Sequence, residues 1–270
     1  MRLVALTDFT DTARGSLKYS IDLLKQAGGG ELHLVHVISS RASTDGLDEQ
    51  FDSFIKAVRR PKEVDIQQVI LKGDLFDAIG EYASSNNFDM MVFATHGAKG
   101  MQKLLGSYAA KVIQKSACPV IVVQDKMKMS KEGIKRIALP LTLQVENRKI
   151  LEYTTDFARK FGAAIEIIYQ KHSDEVMAAL VKKNLYTTTS HYRKNNVTYY
   201  QNAIHESEGF DQAVIDMARG KKCDLIAVVN HREDGYRNLF GWNFDQNMIE
   251  NDANIPLLTF DPKQSADVRR

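Results

Sequence analysis

The stretch from Ala94 to Val123, ATHGAKGMQKLLGSYAAKVIQKSACPVIVV, sets Gly97, Gly100 and Gly106 between an apolar strand and a helical pattern that takes up at Ser107. Glycine lets backbone amides close on an anion and tolerates positive φ. A helix start turns its unsatisfied N–H groups and the positive end of its dipole toward the same point. Ser107 can cap that helix or donate its hydroxyl to an oxygen, and Lys99 and Lys103 add positive charge. These residues suit a phosphate cradle, and equally a glycine-rich strand-to-helix connection with an ordinary serine cap. Asp8, in LTDFT, is the second candidate. Its carboxylate can serve a helix N-terminus through the dipole. It can also accept a hydrogen bond from a nucleobase or sugar, but it would repel a phosphate.

Other chemistries are excluded by what is missing. The sequence holds no G-x-x-x-x-G-K-[ST] loop and no G-x-G-x-x-G fingerprint. SGGxDS and HxGH motifs are absent too, so nothing positions a phosphoryl or adenylyl transfer. No Ser, Cys or carboxylate in the sequence clearly partners His96. No catalytic residue is assigned, and slow ATP hydrolysis is the most that is expected. Without CxxC or HExxH spacing no metal site is expected. Cys118 and Cys223, both beside predicted strands, read as buried thiols of a reducing cytoplasm. A net charge of +2 over 270 residues leaves no footprint for general binding to nucleic acid or a membrane surface. MRLVALTDFT meets Asp8 too early for a signal peptide, and no apolar run reaches the length of a membrane span. The expected location is cytoplasmic.

The elements that would position these residues form one unit written twice. RLVALT is a strand; the apolar spacing of Ala13, Leu17, Ile21 and Leu24 gives a helix, capped by Thr10 or Asp11 and ended by Gly28 to Gly30. ELHLVHVI, a helix over Leu47 to Val58, a strand near Val64 to Leu71, a helix near Leu75 to Ala83, FDMMVFA, the helix from Ser107 and PVIVV follow. The second half repeats the order. Its strands are IKRIALPL, AIEIIYQ, NVTYY, DLIAVVN and IPLLTF, with helices near Glu146 to Phe161, Asp174 to Tyr186 and Phe210 to Arg219. Phe88 to Gly106 laid on Cys223 to Gly241 needs no gap and pairs Asp89 with Asp224 and His96 with His231. Continuous apolar strands alternating with amphipathic helices specify an α/β fold with parallel sheets covered on both faces. The boundaries are 1–125 for the first domain, 134–262 for the second, and a tail over 263–270.

LVALTDFT, LHLVHV, FDMMVFATHG, GMQKLLGSYAAKVI and CPVIVV resemble the universal stress protein family in its tandem two-domain form. The resemblance covers about residues 1 to 262. It implies two open five-stranded sheets of order 3-2-1-4-5, the fifth strand serving dimer contacts. It also implies, for some members, ATP held with magnesium by a G-x2-G-x9-G-[ST] turn, an Asp after the first strand and a Val ending the second. Carried over, the nucleotide-contacting residues are Asp8, with Thr7 beside it, Val37, Ala94, Gly97, Gly106 and Ser107. Ala94 replaces the first glycine, and eight residues rather than nine separate Gly97 from Gly106. The family function implied is a regulatory stress response, with ATP or a related nucleotide in the first domain; the alternative is a nucleotide-free scaffold or chaperone-like protein acting on a protein partner.

The second half departs further. Leu141 is placed at the position of Asp8, Arg232 at that of Gly97, and Trp242 at or next to that of Ser107, so nucleotide binding in the family manner is not expected there. The apolar edge PVIVV is an association hazard that a fused second unit can cover. An internal pseudo-dimer joined around the two final strands is therefore expected, and further homodimerisation stays open.

Overall fold

The computed structural model describes residues 1–95, 105–124, 127, 129–141, 143, 148–205, 209–229 and 248–260. The chain divides into two units, Met1–Met129 with Thr259–Arg270, and Ser130–Leu258.

In the first unit β1 (Arg2–Leu6), α1 (Asp11–Gln26), β2 (Gly30–Ile38), α2 (Leu47–Lys56) and β3 (Val64–Lys72) are followed by α3 (Leu75–Asn86), β4 (Met90–Thr95), α4 (Leu105–Lys115) and β5 (Val120–Gln124). The strands lie in the order β3-β2-β1-β4-β5, and every neighbouring pair is parallel. Right-handed crossovers that run one way from β1 to β3 and back from β3 to β5 place helices on both faces. Leu3, Ala5, Leu32, Leu34, Met91, Val92 and Ile121 form the buried centre of the sheet. Such strands, covered on both sides, read as unbroken apolar runs.

Local signals set the ends of α1. The Thr10 side chain accepts from the Ala13 amide, and Asp11 and Lys25 stand at the dipole ends that favour them. Gly28, Gly29 and Gly30 then turn the chain at positive φ. At Gly30 any Cβ would lie 2.0 Å from the Met1 carbonyl oxygen, so only glycine lets β2 start there.

The second unit has β6 (Arg136–Leu141), α5 (Arg148–Phe161), β7 (Ala164–Gln170), α6 (Glu175–Lys194), β8 (Tyr199–Ile204), α7 (Phe210–Gly220), β9 (Leu225–Val229) and β10 (Leu257–Phe260), the strand at which the division falls. The order β10-β9-β6-β7-β8 repeats the pattern of the first unit. The repeat extends to single bonds. Asp89 Oδ2 accepts from the Arg2 amide at 2.7 Å, and Asp224 Oδ2 accepts from the Arg136 amide at 3.0 Å. The Met91 amide donates to the Pro119 carbonyl, and the Ile226 amide to the Pro256 carbonyl. Asp89 and Asp224, matched in the sequence, each pin the first strand of their unit to the fourth.

Two expected bounds move. The third strand of the second unit is Tyr199–Ile204 rather than NVTYY. Asn196 takes positive φ and the Val197 amide bonds the Tyr192 carbonyl, so Asn196 and Val197 close a helix. That helix, α6, runs on to Lys194, past the expected end at Tyr186. Thr187 to Ser190 have weak helix propensity, but packing overrides it. Thr188 and Tyr192 are fully buried, Tyr192 Oη meets Thr154 Oγ1 at 2.7 Å, and His191 Nε2 meets Thr155 Oγ1 at 3.0 Å, both on α5. The tail 263–270 lies outside the described residues.

Candidate functional site

The order β3-β2-β1-β4-β5 reverses its direction of winding between β1 and β4. In open α/β sheets the crevice beyond the strand carboxyl ends at such a reversal is where ligands bind. Strand register brings four of the seven sequence candidates to it: Thr7, Asp8, Val37 and Ala94. Leu6 pairs with Val35, and continuing that register by two residues sets Asp8 beside Val37. Ala5 pairs with Val92, and the same continuation sets Thr7 beside Ala94. Neighbouring strands lie about 4.8 Å apart, so Val37, Asp8 and Ala94 line a mouth roughly 10 Å across.

The turn that carries Asp8 is tightly held. The Thr7 amide donates to the Val35 carbonyl at 2.9 Å, and Thr7 Oγ1 accepts from the Phe9 amide at 3.0 Å. Asp8 Oδ1 accepts from both the amide and the hydroxyl of Thr10, at 3.0 and 2.6 Å. This ties the carboxylate to the residue that caps α1, as Asp commonly does in turns. Asp8 is exposed, and its Oδ2 has no partner among the described residues. A carboxylate only accepts, so Oδ2 can take a hydroxyl or amine hydrogen from a ligand.

Phe9 sits at φ 62°, the left-handed region that a side chain with Cβ enters at a cost. Its ring is held against His36 at 4.6 Å, Phe51 at 5.0 Å and Phe54 at 5.7 Å between centroids. His36 Nδ1 lies 2.8 Å from the Thr7 carbonyl oxygen and donates to it, so this imidazole braces the turn. Nothing in the residue types marks Phe9 and His36 as supports of the site, because their roles depend on a backbone angle and a bond across two strands.

Thr95, at the end of β4, is buried with its Oγ1 unpaired among the described residues. It adjoins Ala94, which is half-buried like Val37. Gly97, Lys99, Gly100 and Lys103 lie outside the described residues. Gly106 and Ser107 fall in the first turn of α4, which is already helical at Leu105. Ser107 is therefore inside the helix, two residues past its first position, rather than at its entrance.

The second unit corrects one placement. Leu3 and Ile137 are equivalent, since they pair with Leu32 and Met90 and with Ile165 and Leu225 respectively. Counting on, Leu141 corresponds to Thr7, not to Asp8. Thr142, outside the described residues, takes the Asp8 position, so the carboxylate is still missing. Gln170 stands for Val37 and Val229 for Ala94. Arg232 and Trp242 lie outside the described residues. Cys118 and Cys223 are buried, and burial pushes both thiols up to about 12, which leaves them unreactive. No group of three metal-ligating side chains and no helix long and apolar enough to cross a membrane occurs among the described residues.

The chain is similar to known proteins in sequence over its first half and in fold over its whole length. Residues 1–124 match the model of the universal stress protein family. Universal stress protein MJ0531 of Methanocaldococcus jannaschii is 28% identical over 143 residues, covering 47% of this chain and 84% of that protein. Universal stress protein MJ0577 of the same organism is 26% identical over 150 residues, covering 44% and 92%. A crystal structure of a universal stress protein from Archaeoglobus fulgidus DSM 4304 covers 96% of both chains with a TM-score of 0.67. At 14% identity that likeness speaks for the fold of the whole chain and for nothing finer.

Proposed function

We propose that the protein, whose residues 1–124 match the universal stress protein model, belongs to that family and is a regulatory stress-response protein that binds ATP or a related nucleotide in its first unit alone. The observation that carries this is the meeting of Asp8, Val37, Thr7 and Ala94 at the reversal between β1 and β4. Asp8 would accept from the nucleoside while Val37 packs on its apolar face. The phosphates, repelled by Asp8, would lie toward the end of β4 and the first turn of α4, where helix amides favour an anion. Magnesium would travel on the phosphates. Gly97, Gly106 and Ser107 belong to that half of the site. The second unit has neither the carboxylate nor the valine, so one nucleotide per chain is expected. Binding would be read by a protein partner through the turn that precedes α4, in the cytoplasm.

Mass spectrometry of small molecules released on denaturation, with calorimetric titration of ATP and magnesium, tests the reading. A hydrogen bond to a charged group contributes about 1.5–3 kcal/mol, so Asp8→Ala should weaken binding by about 10- to 150-fold. Protein that carries no nucleotide and takes up none would sink the proposal and favour the nucleotide-free scaffold.

A further inference from the structure

Helix α6 has an exposed face that the nucleotide reading does not use. Its inward side chains include Val181, Asn184, Thr188 and Tyr192. The outward side carries Val176, 69% exposed, Leu180, 39%, and Tyr186, 72%. These are three of the four large apolar side chains exposed among the described residues. Scattered singly they would need no explanation, but grouped on one helix face they mark a contact surface. At 100° per residue, Glu175, Ala179, Lys183, Val176 and Leu180 span an arc of about 140°. All five are exposed. The pattern reads along the axis as acid, apolar centre, base.

We infer that this face binds a second copy of itself, the two α6 helices lying antiparallel and crossing at Ala179. In that arrangement a twofold axis passes through the crossing. Glu175 of each copy then faces Lys183 of the other, each four residues, about 6 Å, from the axis. Val176 and Leu180 of both copies close around the centre, where the small Ala179 side chain lets the helices approach to about 8 Å. The face is complementary to itself, as a twofold contact requires. Parallel packing in register would instead set Glu175 against Glu175 and Lys183 against Lys183. Lys182 adds a second cation beside the first, so the charge match survives small slips. One helix pair buries less than a standard interface of about 1,600 Å², which points to a dimer with micromolar rather than nanomolar affinity.

Sedimentation velocity of the full chain over a wide concentration range reads this directly. The wild type should pass from monomer to dimer. Leu180→Asp puts two carboxylates at the crossing and should leave only monomer, with unchanged circular dichroism. Glu175→Lys and Lys183→Glu should each weaken the dimer by at least about fivefold, from two like-charge pairs per contact. The exchanged double variant, Glu175→Lys with Lys183→Glu, should recover dimerisation, which decides the matter even if Leu180→Asp fails to fold. A wild type that stays monomeric, single variants as tight as the wild type, or an exchanged variant that does not recover would each overturn the inference.

Discussion

Phe9 is the residue whose replacement tests the architecture of the Asp8 turn most sharply. Its ring touches His36, Phe51 and Phe54 and is half-buried, so truncation to alanine should cost about 2 kcal/mol, below the 3–5 kcal/mol of a core phenylalanine. Alanine keeps a Cβ at φ 62°, which carries a strain of about 1–2 kcal/mol. Glycine has no such strain, but its looser unfolded chain costs about 0.5–1 kcal/mol. Phe9→Gly should therefore be more stable than Phe9→Ala by about 0.5–1 kcal/mol. In most strands and helices the order is the reverse. Two units make a single unfolding transition unsafe to assume, so the readout is hydrogen exchange at protected amides of β1 and β2. The Thr7 amide, bonded to Val35, is the most direct reporter. A glycine variant less stable than the alanine variant would refute the left-handed turn, and with it the placement of Asp8.

Two further outcomes concern the second unit. Glu166 is buried at 1% exposure, paired with Arg136 and accepting from Asn202 Nδ2 at 2.8 Å. Arg136→Leu should cost about 3 kcal/mol in unfolding experiments because it strands a buried charge, whereas Glu166→Gln, which keeps an acceptor, should cost less. Burial holds the His191 imidazole below its ordinary value of 6.5. The unfolded chain therefore takes up the proton first, so stability is full above about pH 6.5 and falls as pH drops below it, levelling off once pH passes the folded value. Protection of the α6 amides, taken relative to the intrinsic exchange rate at each pH, should fall over that range, and His191→Gln should flatten the dependence; an unchanged profile in the variant would assign the effect elsewhere.

What the sequence made legible, and what it hid, follows from how each feature is encoded. β1, β2 and β4 were plain because strands covered on both faces are continuous apolar runs, and the Asp8 neighbourhood followed once those strands were adjacent. The one-residue slip at Leu141 arose because IALPL is apolar in either register; the pairing of Ile137 with Ile165 and Leu225, and the Lys135 and Arg136 amides that donate to Asp224, fix where β6 begins. The left-handed Phe9 was hidden because no residue type announces it, and the Thr95 hydroxyl, unpaired among the described residues, because pairing is a property of neighbours. The outward face of α6 was hidden for a different reason. The helix has apolar residues on both sides, and composition alone does not say which side meets the core.

The two units together separate fold from site. Asp89 and Asp224 do the same work at the start of each sheet, and the prolines before β5 and β10 accept equivalent bonds. At the other end of the strands the match fails: Gln170 stands for Val37, Val229 for Ala94, and Thr142 for Asp8. Residues at the amino ends of the strands hold the sheet, and those at the carboxyl ends face the crevice. A duplicated unit can lose the second set and still fold, because neither Asp8 nor Val37 belongs to the buried centre that stabilises the sheet. The same separation means that Asp8→Ala should weaken ligand binding more than it weakens the fold, the structural loss being its two exposed bonds to Thr10. Loss of Asp89 should loosen the sheet whether or not a nucleotide is bound, since its carboxylate carries the bond that fixes β1 against β4.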